Sequence, residues 1–204
     1  MAVCKNSLTI FGSKEQIKLL KEHAKDGDEV FSIGAVIKEP EELLEITKKN
    51  ILNPQTVQKF GAMNIKSWRY KNWGCYNKSS NSRVISEQEM DQSKLRGKML
   101  ESMMTGKLTE DESIERAKEL IDATDYAMGI YFETDETPID AIRGISQKYD
   151  KILFHLGYDS ETEDVSGWIG LRNGEVHGHK HYDDCLSTIK MVVSPFDMHK
   201  ESNN

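Results

Sequence analysis

Three histidines at alternate positions, His177, His179 and His181, are the densest set of metal-ligating side chains in the sequence. Alternate residues of an extended strand point to one side, so the three can aim at a single ion. Asp183, Asp184 or Cys185 would complete a tetrahedral set for zinc or another transition metal. The competing reading is a solvated strand face with no metal, and no other cofactor is expected. Nucleophilic and phosphate-binding chemistry has less to stand on. G-x-G-x-x-G, P-loop and G-x-S-x-G patterns are absent. Carboxylate pairs such as Glu41-Glu42 and Asp183-Asp184 lie in polar surroundings that would not raise a pKa. Cys4, Cys75 and Cys185 are an odd, widely spaced set and read as free thiols. These features lean away from an enzyme.

The second group with chemical potential is aromatic. Trp68, Tyr70 and Trp73 crowd one short segment, and Tyr131, His155 and Trp168 recur on segments of strand character. These six are the candidate binding residues. Asn173-Gly174 is a strong hairpin signal, and a two-residue turn would pair Arg172 with Glu175, Gly170 with His177 and Trp168 with His179. Val165, Ile169, Leu171 and Val176 then take the core face, which puts Trp168 and the three histidines together on the other. By the same period of two, Tyr131, Glu133, His155 and Asp159 also belong to the face away from the core. That face reads in three ways: covered by a helical hairpin, a stacking platform for single-stranded nucleic acid, or a metal site.

The elements that would hold these residues follow from pattern. Leu8 and Ile10 alternate with Ser7 and Thr9, a strand; Ser13 with Gln16 then opens a helix carrying Ile17, Leu20 and Ala24 on one face. A helix begins at Pro40-Glu41-Glu42, and the polar segment 60–82 reads as a long loop. Ser86 with Glu89 and Thr109 with Glu112 look like capping boxes of a helical hairpin. Its apolar stripe includes Leu95, Met99 and Met103, and Gly106 lies between its helices. Strands are expected over 126–134, 152–158, 165–172 and 175–181, with a helix after Thr137-Pro138, a further strand over 186–193 and a disordered tail over 199–204. Strands and helices mixed in this way predict an α+β domain: an antiparallel sheet with helices on one face and an inserted helical hairpin at about 86–122, all within residues 1–198.

With 204 residues and a net charge of −7, the chain has the size of one domain and no excess of basic residues for neutralising phosphates. No apolar stretch has the length of a membrane span, and the N-terminus lacks a signal-peptide core, so a cytoplasmic location is expected.

Several segments taken in order resemble the YubB ferredoxin-like family of phages, plasmids and other mobile elements. Cys4-Lys-Asn-Ser-Leu-Thr-Ile-Phe-Gly12 resembles its opening strand. Phe31 with Pro40-Glu-Glu-Leu43 resembles its helix start, and Trp68-Arg-Tyr-Lys-Asn-Trp-Gly74 resembles its Asn-Trp-Gly motif. Tyr131-Phe-Glu-Thr134 with Pro138, and Tyr158 through Gly167, are similar to its closing units. Where that family carries further tryptophans, this chain has Val3, Tyr76 and Asp135-Glu136. The resemblance implies a ferredoxin-like fold and a mobile-element origin, and no activity. The expectation is therefore a non-enzymatic accessory protein that binds a host macromolecule, in a host-takeover or anti-defence role. A host protein is the first candidate partner, met in part through the Met-rich hairpin. Nucleic acid is the alternative, and a metal-dependent enzyme using the histidine run ranks last.

Overall fold

The computed structural model of the protein describes residues 3–49, 54–90, 124–161 and 164–182. Strand β1 (Cys4–Gly12) buries Cys4, Asn6, Leu8 and Ile10 on one side and turns Lys5, Ser7 and Thr9 to the other. Helix α1 (Lys14–Ala24) starts where the Ser13 hydroxyl accepts from the Gln16 N–H at 3.3 Å, and it buries Ile17, Leu20 and Ala24. Helices α2 (Ile33–Val36), α3 (Glu41–Lys48), α4 (Pro54–Phe60) and α5 (Ile65–Trp73) lead to strands β2 (Ser80–Glu89) and β3 (Tyr126–Thr134). Helix α6 (Ile139–Lys148) and strands β4 (Leu153–Ser160), β5 (Val165–Arg172) and β6 (Glu175–Tyr182) complete the described chain.

The six strands form one sheet in the order β2-β3-β1-β4-β5-β6, every neighbouring pair antiparallel. Leu8 pairs with Ile130 on β3 and Leu156 on β4, and Leu156 pairs with Ile169 on β5. Paired residues share a face, so these side chains form one continuous apolar layer. Ile17 and Leu20 of α1, Trp73 of α5 and Ile142 and Ile145 of α6 pack against it. Removing a Phe132- or Phe154-sized side chain from water contributes roughly 1.5–3 kcal/mol each, which is what holds the helices to this face. No described helix is long and apolar enough to cross a membrane.

Three sequence expectations are corrected. Segment 60–82 is not a long loop, because α5 occupies its middle. Asn64 and Ser67 cap that helix reciprocally, and Gly74 ends it in the left-handed conformation (φ 77°). Ser86–Glu89 do not open a helix: they continue β2, where Ser86 pairs with Gly129 and Glu89 with Tyr126. A strand already hydrogen-bonded to β3 has no free N–H groups for a cap to satisfy. The remainder of the expected hairpin from residue 91 onward, the strand over 186–193 and the tail over 199–204 lie outside the described residues. The third correction concerns the hairpin register. Asn173 and Gly174 do turn with positive φ (49° and 77°), and Arg172 does pair with Glu175. A bulge follows: Leu171 pairs with Val176, but Gly170 pairs with Gly178, so His177 is the extra residue. Beyond it Trp168 stands opposite Lys180, not His179, and His179 stands opposite Ile169. One inserted residue moves His179 to the opposite face of the sheet from Trp168.

Candidate functional site

The face away from the helices carries a line of residues fixed by register. Arg83 pairs with Tyr131, Tyr131 with Ser7, Ser7 with Gly157 and Gly157 with Trp168, so five neighbouring strands contribute one position each. Two aromatic side chains thus flank two small ones. Tyr131 and Trp168 are three strand spacings apart, about 14 Å between backbones. Among the described residues the strip between them, termed the trough below, holds only the small side chains Ser7, Gly157 and the adjacent Thr9. The Ser7 and Thr9 hydroxyls make no hydrogen bond to another described residue.

Each wall of the trough is itself braced. The Arg83 guanidinium lies over the Tyr131 ring, 4.0 Å from its centroid. The Tyr131 hydroxyl donates to Glu133 Oε1 at 2.8 Å, and the Asn81 amide donates to Glu133 Oε2 at 2.6 Å. Burial and the Glu133 carboxylate push the Tyr131 phenol up to about 12, while the two donors hold the Glu133 carboxyl below its ordinary range. On the other wall His155 and Trp168 stack, centroids 5.1 Å apart and planes 24° from parallel. A Cβ on Gly178 would sit 3.2 Å from the Trp168 ring, so a bare glycine on β6 is what lets the indole settle there. Burial pushes the His155 imidazole below its usual value and favours the neutral ring. One row beyond the trough lie Glu133, Lys5 and Asp159. Lys5 pairs with Glu161 at 3.1 Å, and that carboxylate, together with the cross-strand Asp159 and Glu133, pushes the lysine's pKa up.

The six sequence-selected aromatic positions are therefore not one site. Tyr131, His155 and Trp168 come together on the open face. Trp68, Tyr70 and Trp73 lie on α5, on the helix-bearing side. Trp73 is fully buried, its indole N–H without a hydrogen-bond partner among the described residues, and Trp68 packs edge-on against it, centroids 5.9 Å apart. Tyr70 is 49% exposed and stacks on Tyr76 at 4.7 Å. Arg69 below them is tied to the nearly buried Glu39 carboxylate. Of the histidines, His177 and His179 are exposed, and no three His, Cys, Asp or Glu side chains converge as a metal site among the described residues. Asp183, Asp184 and Cys185 lie outside them. Cys4 and Cys75 are buried thiols, and burial drives the Cys75 thiol far above its ordinary value, the reverse of an activated nucleophile.

Sequence reasoning missed Arg83, because the bulges in β2 erase the alternation that marks a strand. A cavity of about 350 Å³ lined by His23, Val36, Lys38, Lys148 and Tyr149 gathers the C-terminal ends of α1, α2 and α6. Lys148 donates to the Val36 carbonyl there, so that lysine serves as a helix cap. Against known proteins, the chain matches no family model, and no curated protein or solved structure matches it significantly.

Proposed function

We propose that the protein is a non-enzymatic accessory protein of a phage or other mobile element, and that it binds a host protein through the open face of its sheet. The observation that carries this reading is the row Arg83-Tyr131-Ser7-Gly157-Trp168, in which, among the described residues, only small side chains stand between two braced aromatic ones. Aromatic side chains held half-exposed around a depression are a common basis of interface anchoring. The strand order β2-β3-β1-β4, with helical connections from β1 to β2 and from β3 to β4, supports a ferredoxin-like core extended by β5 and β6. The mobile-element origin rests on the sequence resemblance alone.

The test is capture from host lysate with the N-terminally tagged protein, with and without nuclease. The expected result is a host protein retained after nuclease and lost from the Gly157→Val variant, whose side chain fills the trough. Retention of nuclease-sensitive material only would replace this reading with the single-stranded nucleic-acid one. Stacking-competent Tyr131 and Trp168 favour that second reading, while the net charge of −7 opposes it.

A further inference from the structure

We infer that segment 91–123, which lies outside the described residues, docks its apolar stripe on the Phe11 end of the sheet face away from the helices. It would form a second layer there, whether or not the trough binds a partner. The observation behind it is burial on that face. Phe11 pairs with Ala127 on β3 and Leu153 on β4, and alternation puts all three opposite Ile10, Met128 and Phe154. Phe11 and Ala127 are 6% and 4% exposed, yet neither is part of the buried cluster beneath the helices. Cross-strand neighbours flank a ring within its own layer, and only a further layer covers it. Toward the sheet edge the patch continues to Ile85 on β2, which is 50% exposed. Ile85 leans over Gly129, where a Cβ would lie 3.1 Å from its Cγ1.

Chain connectivity selects the occupant. The Met90 N–H donates to the Asp125 carbonyl at 2.8 Å, and the Asp125 N–H donates to the Gly12 carbonyl at 3.2 Å. Segment 91–123 therefore leaves and re-enters the sheet beside the residue that follows Phe11. Its sequence repeats apolar residues at helical spacing, Leu95, Met99 and Met103, then Ile114, Ala117 and Ile121. Such a stripe is stabilised mainly by packing against another surface. A helix of about 12 residues spans roughly 18 Å, more than the roughly 14 Å of the three strand spacings from β4 to β2. Segment 183–204 starts from the opposite end: Tyr182 pairs with Ser166, Ser166 with Asp159 and Asp159 with Lys5, beside Cys4. Ser7 stands four residues along β1 from Phe11, roughly 13 Å away, so a segment docked at Phe11 leaves the trough row uncovered. The Met-rich stripe is then buried within the chain and is not offered to a host partner.

The experiment is nuclear magnetic resonance on the full-length protein, with isotope-labelled Ile, Leu and Met methyl groups and protonated Phe in a deuterated background. The Phe11 ring is assigned through its backbone, and the methyl groups through conservative variants such as Met99→Leu and Ile114→Val. The expected result is a nuclear Overhauser contact between the Phe11 ring and at least one methyl group of residues 91–123, shifted upfield by the ring. It should be present in protein that sedimentation shows to be monomeric. Contacts only to methyl groups of residues 183–204, such as Met191, would give the face to that segment and overturn the inference. Contacts seen only between separately labelled chains in a mixed sample would replace it with a second copy. A Phe11 ring without methyl contacts beyond the described residues would also overturn it. The trough reading is tested separately by host capture. If the contacts are present and Gly157→Val still captures its host protein, the docked segment stands and the trough falls. If the contacts are absent and Gly157→Val loses the host protein, the reverse holds.

Discussion

Gly157→Val isolates the trough from the stability of the fold. Gly157 sits in β4 with an ordinary strand backbone, not among the glycines that need positive φ. A Cβ there would meet only Ser7, at 3.7 Å from its carbonyl oxygen and 4.0 Å from its Cβ, which is normal contact. Valine should therefore enter without strain. Glycine costs a strand roughly 0.5–1 kcal/mol in backbone entropy, and β-branched residues rank at the favourable end of a scale spanning about 1 kcal/mol. The net expectation is a variant about 1 kcal/mol more stable than the parent, read as a higher urea midpoint with an unchanged slope. The same side chain stands on the floor between Tyr131 and Trp168, so binding at the trough should be abolished. Gly178→Val is the contrasting change: its Cβ would lie 3.2 Å from the Trp168 ring, and it should destabilise by about 1–3 kcal/mol through overpacking. A Gly157→Val protein destabilised as much as Gly178→Val would refute the register on which the trough is built.

Two further outcomes test other parts of the structure. Gly74→Ala combines a left-handed backbone (φ 77°) with a Cβ placed 2.8 Å from the Thr137 carbonyl oxygen, whereas Gly27→Ala has positive φ (59°) but open space. Each should lose about 1–2 kcal/mol from conformation, and Gly74→Ala about 1 kcal/mol more from contact; equal losses in urea denaturation would mean that α5 does not end against the start of α6. The second outcome concerns pH. The folded-state pKa of His155 lies below its unfolded value, so the unfolded chain takes the proton first and stability falls as pH drops below the ordinary histidine range. His155→Phe keeps a ring beside Trp168 and should remove that component, so its stability relative to the parent rises as pH falls, by at most about 1.4 kcal/mol per pH unit. Parallel stability–pH curves for the two proteins would show that His155 is not buried as described.

Periodicity of two in the sequence was sufficient to place Leu8, Ile10, Met128, Ile130, Phe132, Phe154 and Leu156 on the core face, and Tyr131, Glu133, His155 and Asp159 on the other. The reason is that the pleat alternates side chains whichever strand comes to lie alongside. Caps were legible for the same local reason: Ser13 stops or starts a helix through its own hydroxyl, and Asn173-Gly174 turns because those two residues tolerate positive φ. The helix at Ile65–Trp73 was legible too, through Asn64, Ser67 and Gly74, but the polar composition around it masked the signal.

What neighbours a residue across the sheet was decided only in three dimensions. The bulge at His177 separates Trp168 from His179, and no property of the segment 175–182 alone announces it, because an extra residue is absorbed wherever opposing strands fit better with it than without. Trp68, Tyr70 and Trp73 share a segment with one another and a face of the molecule with none of Tyr131, His155 or Trp168, since helix α5 packs on the other side of the sheet. The line from Arg83 to Trp168 joins residues up to 161 positions apart in sequence through the pairings β2-β3, β3-β1, β1-β4 and β4-β5. Local sequence thus determined which side chains leave the core. Non-local hydrogen bonding between strands determined which of them meet, and the trough exists only at that second level.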